Sequence, residues 1–418
     1  MNLLERLQKF KPSDIWENKI FLYLLIGLTV CQMGNEITTL AVSTLAINKF
    51  DATADMVGFL KTVETLPYLF FGFLTGAIVD RFDPVKIMIG SNIICFFSIL
   101  SIPIVYQYEI LDMKFLYIVM TIMGTFTVFY TISGMSYIPL ILNKNHLPNG
   151  NSKTSISKSG TKMFGPVFAG WLIGLISAIV TILFNAVNYL ISCFLLLRLK
   201  RKPVKNNNSI NFKIITSEII EGLKFVFTDP ILRSLAIVTS LINLGYSMMN
   251  SVLLIFAYNK LHFSPAEIGF VLAISGMGLF VGASIAKKVS KKIGFGKCLF
   301  LTNLLLGLAL SIIPVCLLFS PIYILTIILF LIAIIMSIFD INQLTLRQLI
   351  TLSEMQGRMN ANMRTIIWGT VPIGSLLGGI IAVNLGYINT FIISGLTVML
   401  GAILLFICPV YKIKEIIV

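Results

Sequence analysis

Long apolar segments recur along the whole chain and constrain its fold more than any other feature. Each runs for about 20 residues with few charges, which is typical of a helix that crosses a lipid bilayer. We therefore predict an all-α integral membrane protein with twelve transmembrane helices; the division between the fifth and sixth, near Ser177–Ile179, is the least marked. The predicted spans are 20–47, 56–79, 86–106, 115–142, 157–177, 179–197, 231–258, 267–286, 297–319, 322–345, 364–384 and 388–410.

The composition agrees with lipid as the main solvent. Of 418 residues, 57% are hydrophobic and 12% are charged, whereas soluble domains carry about 25% charged residues. Residues 1–19 lack an apolar core followed by a cleavage site, so we predict a retained cytoplasmic leader instead of a signal peptide. The cysteines all lie in apolar segments without paired spacing, which predicts core side chains and neither disulfides nor a metal site. They are Cys31, Cys95, Cys193, Cys298, Cys316 and Cys408.

Lysine and arginine residues are concentrated in alternate breaks between the spans. One set of breaks holds only Lys49, Lys114 and Lys260, whereas most of the remaining basic residues lie in the other set and in the terminal segments. Cytoplasmic segments carry such an excess, so we predict that both termini are cytoplasmic. The net charge of +14 then follows from membrane topology and contact with anionic lipid, and nucleic acid is not a predicted partner.

The longest polar break divides the chain into two halves. It begins with the basic, Asn-rich sequence RLKRKPVKNNNS at Arg198, and its later part, 214–227, has apolar residues at helical spacing. We predict an N-terminal six-helix half at 1–197, a cytoplasmic linker with a short amphipathic helix at 198–230, and a C-terminal six-helix half at 231–418. Such a layout is typical of a transporter built from two repeats.

An internal echo supports this division. Span five contains Lys158 and Pro166, and span eleven contains Arg364 and Pro372, so each pair is separated by eight residues. The sequence GAIVDRFDPVK, which starts at Gly76, is likewise echoed by GASIAKKVSKK in the second half. Weak similarity at half-chain distance is typical of parallel structural repeats.

The segment that ends span two is a candidate inner gate. Gly76 lies on a small-residue face that allows close helix packing, and Asp80 and Arg81 follow at the predicted cytoplasmic mouth, with Lys86 beyond them. There the two charges can bond to the end of a neighbouring helix and hold the gate shut. The alternative is ordinary helix-end charge at the membrane interface.

This G-x-x-x-D-R-x-x-x-x-K segment resembles the signature loop of the major facilitator superfamily. Residues 221–233, with EGLK followed by DPILR, and residues 357–374 resemble the branch that contains macrolide-efflux proteins and siderophore exporters. The resemblance spans 21–409. It implies the major facilitator fold, in which two six-helix halves rock around a central site, with export commonly driven by proton entry.

The chain departs from the family pattern at two places. Asp83-Pro84 replaces the glycine usual in the signature loop, and Met120 stands four residues before Gly124 where many proton-coupled members have an arginine. In span five, Gly165-Pro166 resembles the Gly-Pro motif of the exporters. With Gly170, and with Pro372 in span eleven, it predicts kinked helices that pack closely between the halves; a generic kinked span is the alternative.

Charged residues inside spans are costly and therefore point to function. Glu36, beside Asn35 in the middle of span one, is the first candidate for binding a proton or a cationic group of the substrate. Asp340, near the inner end of span ten, is a second carboxylate candidate, with helix-end capping as the alternative.

Spans two and five add basic candidates. Lys61 and Glu64 are three residues apart on one face of span two, so they form either a local ion pair or part of an outer vestibule in which Lys61 attracts an anionic substrate and Glu64 assists proton coupling. Lys158 can extend to the cytoplasmic surface, whereas Lys162 lies deeper and is a candidate to bind substrate.

We therefore predict a bacterial cytoplasmic-membrane exporter of a small molecule, coupled to protons and acting as a monomer. Lys61 and Lys162 favour a carboxylate siderophore, whereas the aromatic content suits a macrolide or another drug. The fold also permits an importer. A membrane enzyme would need clustered His, Asp or Glu residues at one membrane face; the sequence has no such cluster, no nucleotide-binding loop and no metal-ligand spacing, so we predict no enzyme activity, cofactor or metal.

Overall fold

The computed structural model describes residues 18–79, 82–142, 147–199, 212–318, 320–351 and 356–413, and these residues are almost entirely helical. The helices that precede the central break are α1 Lys19–Phe50, α2 Ala54–Val79, α3 Pro84–Gln107, α4 Met113–Ile141, α5 Leu147–Leu175 and α6 Ala178–Leu197. Those that follow are α7 Phe212–Thr228, α8 Pro230–Asn259, α9 Pro265–Ile293, α10 Phe295–Ser311, α11 Pro321–Ile350 and α12 Gln356–Ile407. Short 3₁₀ helices at Ile313–Leu317 and Pro409–Lys412 follow α10 and α12.

Within the described part of the chain, nine helices are long and apolar enough to cross a membrane when α12 is counted once. That helix is broken at Gly386, which has a φ of 84°, so it consists of two arms. The two arms are antiparallel. Gly374 and Gly378 of the first arm contact successive turns of α8 in the same chain direction. The second arm, in which Ser394 contacts Gly245, runs back along α8 in the opposite direction. With α2 and α5, the helices account for the twelve predicted spans.

Several helix starts follow from local sequence chemistry. Asp83 caps α3 by accepting a hydrogen bond from the backbone N–H of Val85 at 3.0 Å, and Pro84 occupies the first helical turn. The departure from the family's signature loop is therefore a helix start. Ser264 and Glu267 form a complete capping box at the start of α9.

The largest difference between a predicted span boundary and the structure lies at the start of α5. Helix α5 begins at Leu147, ten residues before the predicted start at 157, because its polar first turns continue the helix beyond the apolar segment. The chain separates α5 from α6 at Ser177, whose φ of 130° prevents helical continuation there. Helix α7 covers the segment predicted to be amphipathic, with Val226 buried and Glu221 exposed.

We refer to α1–α6 as the first helix group and to α8–α12 as the second. Polar side chains inside the first group bind one another: Tyr189 donates its hydroxyl proton to Asn35 Oδ1 at 2.6 Å, and Asn92 Nδ2 donates to Ser192 Oγ at 2.8 Å. The Tyr130 hydroxyl lies 3.0 Å from the same Ser192 oxygen. These bonds connect α1, α3, α4 and α6 where lipid offers no alternative partner.

Candidate transport cavity

The two ends of the bundle differ in charge. The end at which α2 and α9 finish, and at which α3 and α10 begin, carries Lys86, Lys287, Lys288, Lys291, Lys292 and Lys297, and we call it the basic end. The opposite end contains the connections 51–53 and 260–264. We call it the closed end, because the two helix groups meet there at backbone distance.

Helices α2 and α12 form the first contact at the closed end. A methyl group on Gly58 would lie 2.8 Å from the carbonyl oxygen of Ser375 and 3.0 Å from Cα of Gly379. One turn deeper, the Thr62 hydroxyl lies 3.2 Å from the carbonyl oxygen of Pro372. Because no side chain separates the two backbones, this contact leaves no passage between α2 and α12.

Helices α5 and α9 form the second contact. A methyl group on Gly170 would lie 3.0 Å from Cα of Gly269, and one on Gly269 would lie 2.8 Å from the carbonyl oxygen of Pro166. The Thr44 and Tyr258 hydroxyls, 2.9 Å apart, add a third contact between α1 and α8. The small residues of α5 therefore lie at an interface between the helix groups.

Beyond these contacts, towards the basic end, charged side chains of the two helix groups lie near one another. Lys162 and Asp340 are both exposed to solvent although each lies within a long helix, and their charges act on one another between α5 and α11. The charges of Glu36 and Asp340 both act on Tyr246 of α8. The predicted carboxylates on α1 and α11 thus both lie near Tyr246.

Glu36 lies on α1 against α5. A methyl group on Gly165 would lie 2.5 Å from Cβ of Glu36, so glycine at this position is what allows the carboxylate-bearing turn to approach. The charges that act on Glu36 are, in decreasing order, those of Lys162, Lys61, Glu64 and Lys158. Glu36 thus lies near the lysines of two helices.

Lys61 and Glu64 form a local ion pair, as their spacing allowed. The Lys61 Nζ atom lies 2.9 Å from Glu64 Oε2, with side-chain exposures of 25% and 23%. The Thr39 hydroxyl donates to the other carboxylate oxygen at 3.0 Å. The pair therefore connects α2 to α1 and is partly exposed.

Asp340 lines a cavity of about 360 Å³ between α8, α11 and α12. It is exposed and forms no ion pair within 4.0 Å among the described residues. Its neighbour Asn342 donates to the carbonyl oxygen of Ile338 at 2.8 Å and is buried. The alternative of helix-end capping does not fit the position of Asp340, because α11 continues for ten further residues to Ile350.

The remaining predicted site residues lie apart from this cluster. Asn35 accepts the hydrogen bond from Tyr189, which ties α1 to α6. Gly76 lies in the last turn of α2, and Lys86 is exposed in the first turn of α3. Asp80 and Arg81 lie outside the described residues, so the gate stays a prediction.

Sequence reasoning missed Arg347 and Arg364 as site residues. It counted Arg347 only as positive charge near the cytoplasm and used Arg364 only for the internal echo, yet both line the cavity beside Asp340. A spacing signal was available for Arg347: Asp340, Gln343 and Arg347 follow one another at intervals of three and four residues and share a helix face.

Comparisons with known proteins define the class. The chain matches the family described as transmembrane secretion effector over residues 12–417. The bacterial homologue of the iron transporter ferroportin in its inward-facing state superimposes with a TM-score of 0.72 at 16% identity, covering 93% of this chain and 98% of that one. The chain therefore belongs to the major facilitator superfamily, and it is a multi-pass membrane transporter, not an enzyme.

Individual relatives are similar at low identity. The multidrug efflux pump Tap of Mycolicibacterium fortuitum is 24% identical, with 92% of this chain and 95% of that protein covered. The staphyloferrin A transporter of Staphylococcus aureus is 23% identical, with 91% and 94% covered. The uncharacterized MFS-type transporter YfiS of Bacillus subtilis is 27% identical over 63% of this chain, and the match spans 62% of that relative's length.

Proposed function

We propose that this transporter exports an anionic small molecule, most specifically a carboxylate siderophore, in exchange for protons. The observation that carries the proposal is the excess of positive charge among the charged side chains that the helix groups bring near one another. Five basic side chains lie in this cluster with three carboxylates, an excess of two positive charges. The basic residues are Lys61, Lys158, Lys162, Arg347 and Arg364, and the carboxylates are Glu36, Glu64 and Asp340.

The lysines at the basic end support its placement on the cytoplasmic side of a bacterial cytoplasmic membrane. Lysine and arginine residues near span ends are retained in the cytoplasm, and such lysines lie at the end of α9 and the start of α10. In this orientation both termini are cytoplasmic. The contacts between the helix groups then lie at the outer end, with the charged side chains on their cytoplasmic side, which is an arrangement that can load an exported substrate.

The contacts of α5 support a proposed coupling between proton binding at Glu36 and the closure of the outer end. Gly165 lies against Glu36, and Gly170, five residues later on the same helix, lies against Gly269 of α9. A change in charge at Glu36 therefore acts beside the helix that closes the outer end. Proton binding there removes the negative charge of the carboxyl group near Lys162 and Lys61. Movement of α5 then transmits this change to the contact between the helix groups.

Multidrug efflux is the second candidate function, and aromatic side chains favour it. Tyr68 of α2 stacks on Trp368 of α12 with ring centroids 5.7 Å apart, which offers a flat apolar surface beside the cavity. The resemblance to a multidrug efflux pump agrees with this reading. A neutral or cationic drug would use this surface and would not need Lys61 or Lys162.

The test is a comparison of metabolites in the culture medium and in the cells, with and without the gene, under iron starvation. We expect an iron chelator to disappear from the medium and to accumulate inside cells that lack the gene. Unchanged secretion would contradict siderophore export, and drug susceptibility, beginning with macrolides, would then test the second candidate. Loss of uptake instead of secretion would identify an importer.

A further inference from the structure

The cavity between α8, α11 and α12 is lined by polar residues that have unpaired atoms in the described part of the chain. Thr239 Oγ1, Gln343 Oε1 and Arg347 Nε are buried atoms without a hydrogen bond among the described residues. Their residues are only 2%, 7% and 7% exposed. Leaving such a group unpaired away from water costs about 1–3 kcal/mol, and more for a charged one, so this concentration at one cavity needs a cause.

The charge balance of the cavity points to an anion as the partner of Arg347 Nε and Thr239 Oγ1, whereas Gln343 Oε1 is an acceptor that an anion does not satisfy. Its lining contains two guanidinium groups, Arg347 and Arg364, and one carboxylate, Asp340, which leaves one positive charge. Among the described residues Asp340 forms no ion pair within 4.0 Å with either arginine, and Arg364 Nη1 lies 3.8 Å from Met135 Sδ. One monovalent anionic group would neutralise the cavity.

The shape of the donors specifies a planar anion. Arginine presents a fork of N–H donors that matches the two oxygen atoms of a carboxylate, and the Gln343 amide and Thr239 hydroxyl can donate to the remaining lone pairs. The cavity holds about 360 Å³, enough for a carboxylate with a short substituent, and Trp368 forms one wall. We propose that this cavity is a carboxylate-binding subsite in which Arg347 and Arg364 hold one carboxylate of the transported molecule.

The subsite rests on the proposed function for its part in transport, although its binding can be measured without transport. It would place one end of the substrate against α8, α11 and α12, while Lys61 and Lys162 face the other end from α2 and α5. A substrate with two or more carboxylates would then contact both helix groups. Asp340 would oppose the bound anion by charge repulsion.

Trp368 provides the reporter for a test. The chain has three tryptophans, so Trp16→Phe and Trp171→Phe leave Trp368 as the single tryptophan. The purified full-length protein in nanodiscs is titrated with citrate at constant ionic strength, with potassium chloride as the reference salt. We expect a saturable change in Trp368 emission with citrate and none with chloride.

Three variants in this background separate binding from misfolding. Arg347→Gln and Arg364→Gln should each weaken citrate binding by about tenfold or more, because each removes a charged hydrogen-bond donor. Asp340→Asn should tighten binding several-fold, a gain that a misfolded protein cannot show. Lys288→Gln, which changes an exposed lysine at the basic end, is the matched control and should bind citrate as before.

Citrate binding that is absent, unchanged in both arginine variants, or not tightened by Asp340→Asn would overturn the subsite. Intact citrate binding with the expected order of affinities, in a protein whose loss leaves secretion unchanged, would support the subsite and remove only the export proposal. Intact secretion with unaltered binding in both arginine variants would remove only the subsite.

Discussion

The two helix groups use buried polar side chains in different ways. In α1–α6, Asn35, Asn92 and Tyr130 reach a partner on another helix of the same group. In α8–α12, Gln343 and Arg347 are just as buried, yet atoms of both have no partner and lie at a cavity. The unpaired atoms in the first group are single oxygens of Thr75, Ser133 and Asn185.

This difference separates structural polarity from polarity reserved for a ligand. A paired amide in a membrane helix holds its neighbours together, and its loss leaves the partner unsatisfied. An amide oxygen at a cavity that has no hydrogen-bond partner does not hold two helices together through that atom. Asn342 of the second group also bonds between helices, to the carbonyl oxygen of Ala286 at 3.4 Å, so the contrast concerns the cavity residues Gln343 and Arg347.

The largest effect should come from Glu36→Gln. This change keeps the size of the side chain but fixes it without charge beside Gly165 and the lysines, so gradient-driven export should fall to background. Export is measured in cells with an imposed proton gradient. Glu109→Gln, at an exposed turn between α3 and α4, is the control and should transport normally; undiminished export by Glu36→Gln would remove Glu36 from coupling.

The next effect concerns substrate charge. Lys61→Gln with Lys162→Gln should reduce export of a carboxylate about tenfold to a hundredfold, since two charged contacts are lost, and should spare a neutral or cationic drug. Initial rates of export for the two substrate classes measure this. Lys288→Gln with Lys292→Gln, an exposed pair at the basic end, removes the same charge outside the cavity. Equal losses in both double variants would assign the effect to overall charge.

The smallest effect tests the comparison of the helix groups itself. Asn92→Leu should lower the free energy of unfolding by about 1 kcal/mol, because Ser192 loses the Asn92 hydrogen bond, whereas Gln343→Leu should be neutral or slightly stabilising. Thermal unfolding of both variants in the same detergent gives the comparison. Equal destabilisation by the two changes would show that Gln343 contributes to packing and would break the distinction.

The sequence was sufficient for the helices because the thickness of the bilayer sets their length. It also offered the Lys61–Glu64 ion pair as one of two interpretations, because both residues lie on one helix face three residues apart. Contacts between helices were not predictable in this way. That Glu36 meets Gly165, or that Asn35 bonds to Tyr189, depends on how distant helices cross.

Arg347 and Arg364 show a second reason for failure. Basic residues near the cytoplasmic ends of spans are expected for topology alone, so sequence position could not distinguish a topological charge from a binding group. Burial makes the distinction for Arg347, which is 7% exposed although lysines at the same end of the bundle are exposed. The burial of Arg347 in the structure thus distinguishes it from the exposed lysines, which its position in the sequence could not do.

Transport by membrane vesicles tests the central claim most directly. Inside-out vesicles that contain the protein are given an acidic interior and the anion identified in the culture medium. We predict that they accumulate the anion, that a protonophore abolishes the accumulation, and that Glu36→Gln vesicles accumulate none. Accumulation by right-side-out vesicles alone, or accumulation unaffected by the proton gradient, would contradict proton-driven export.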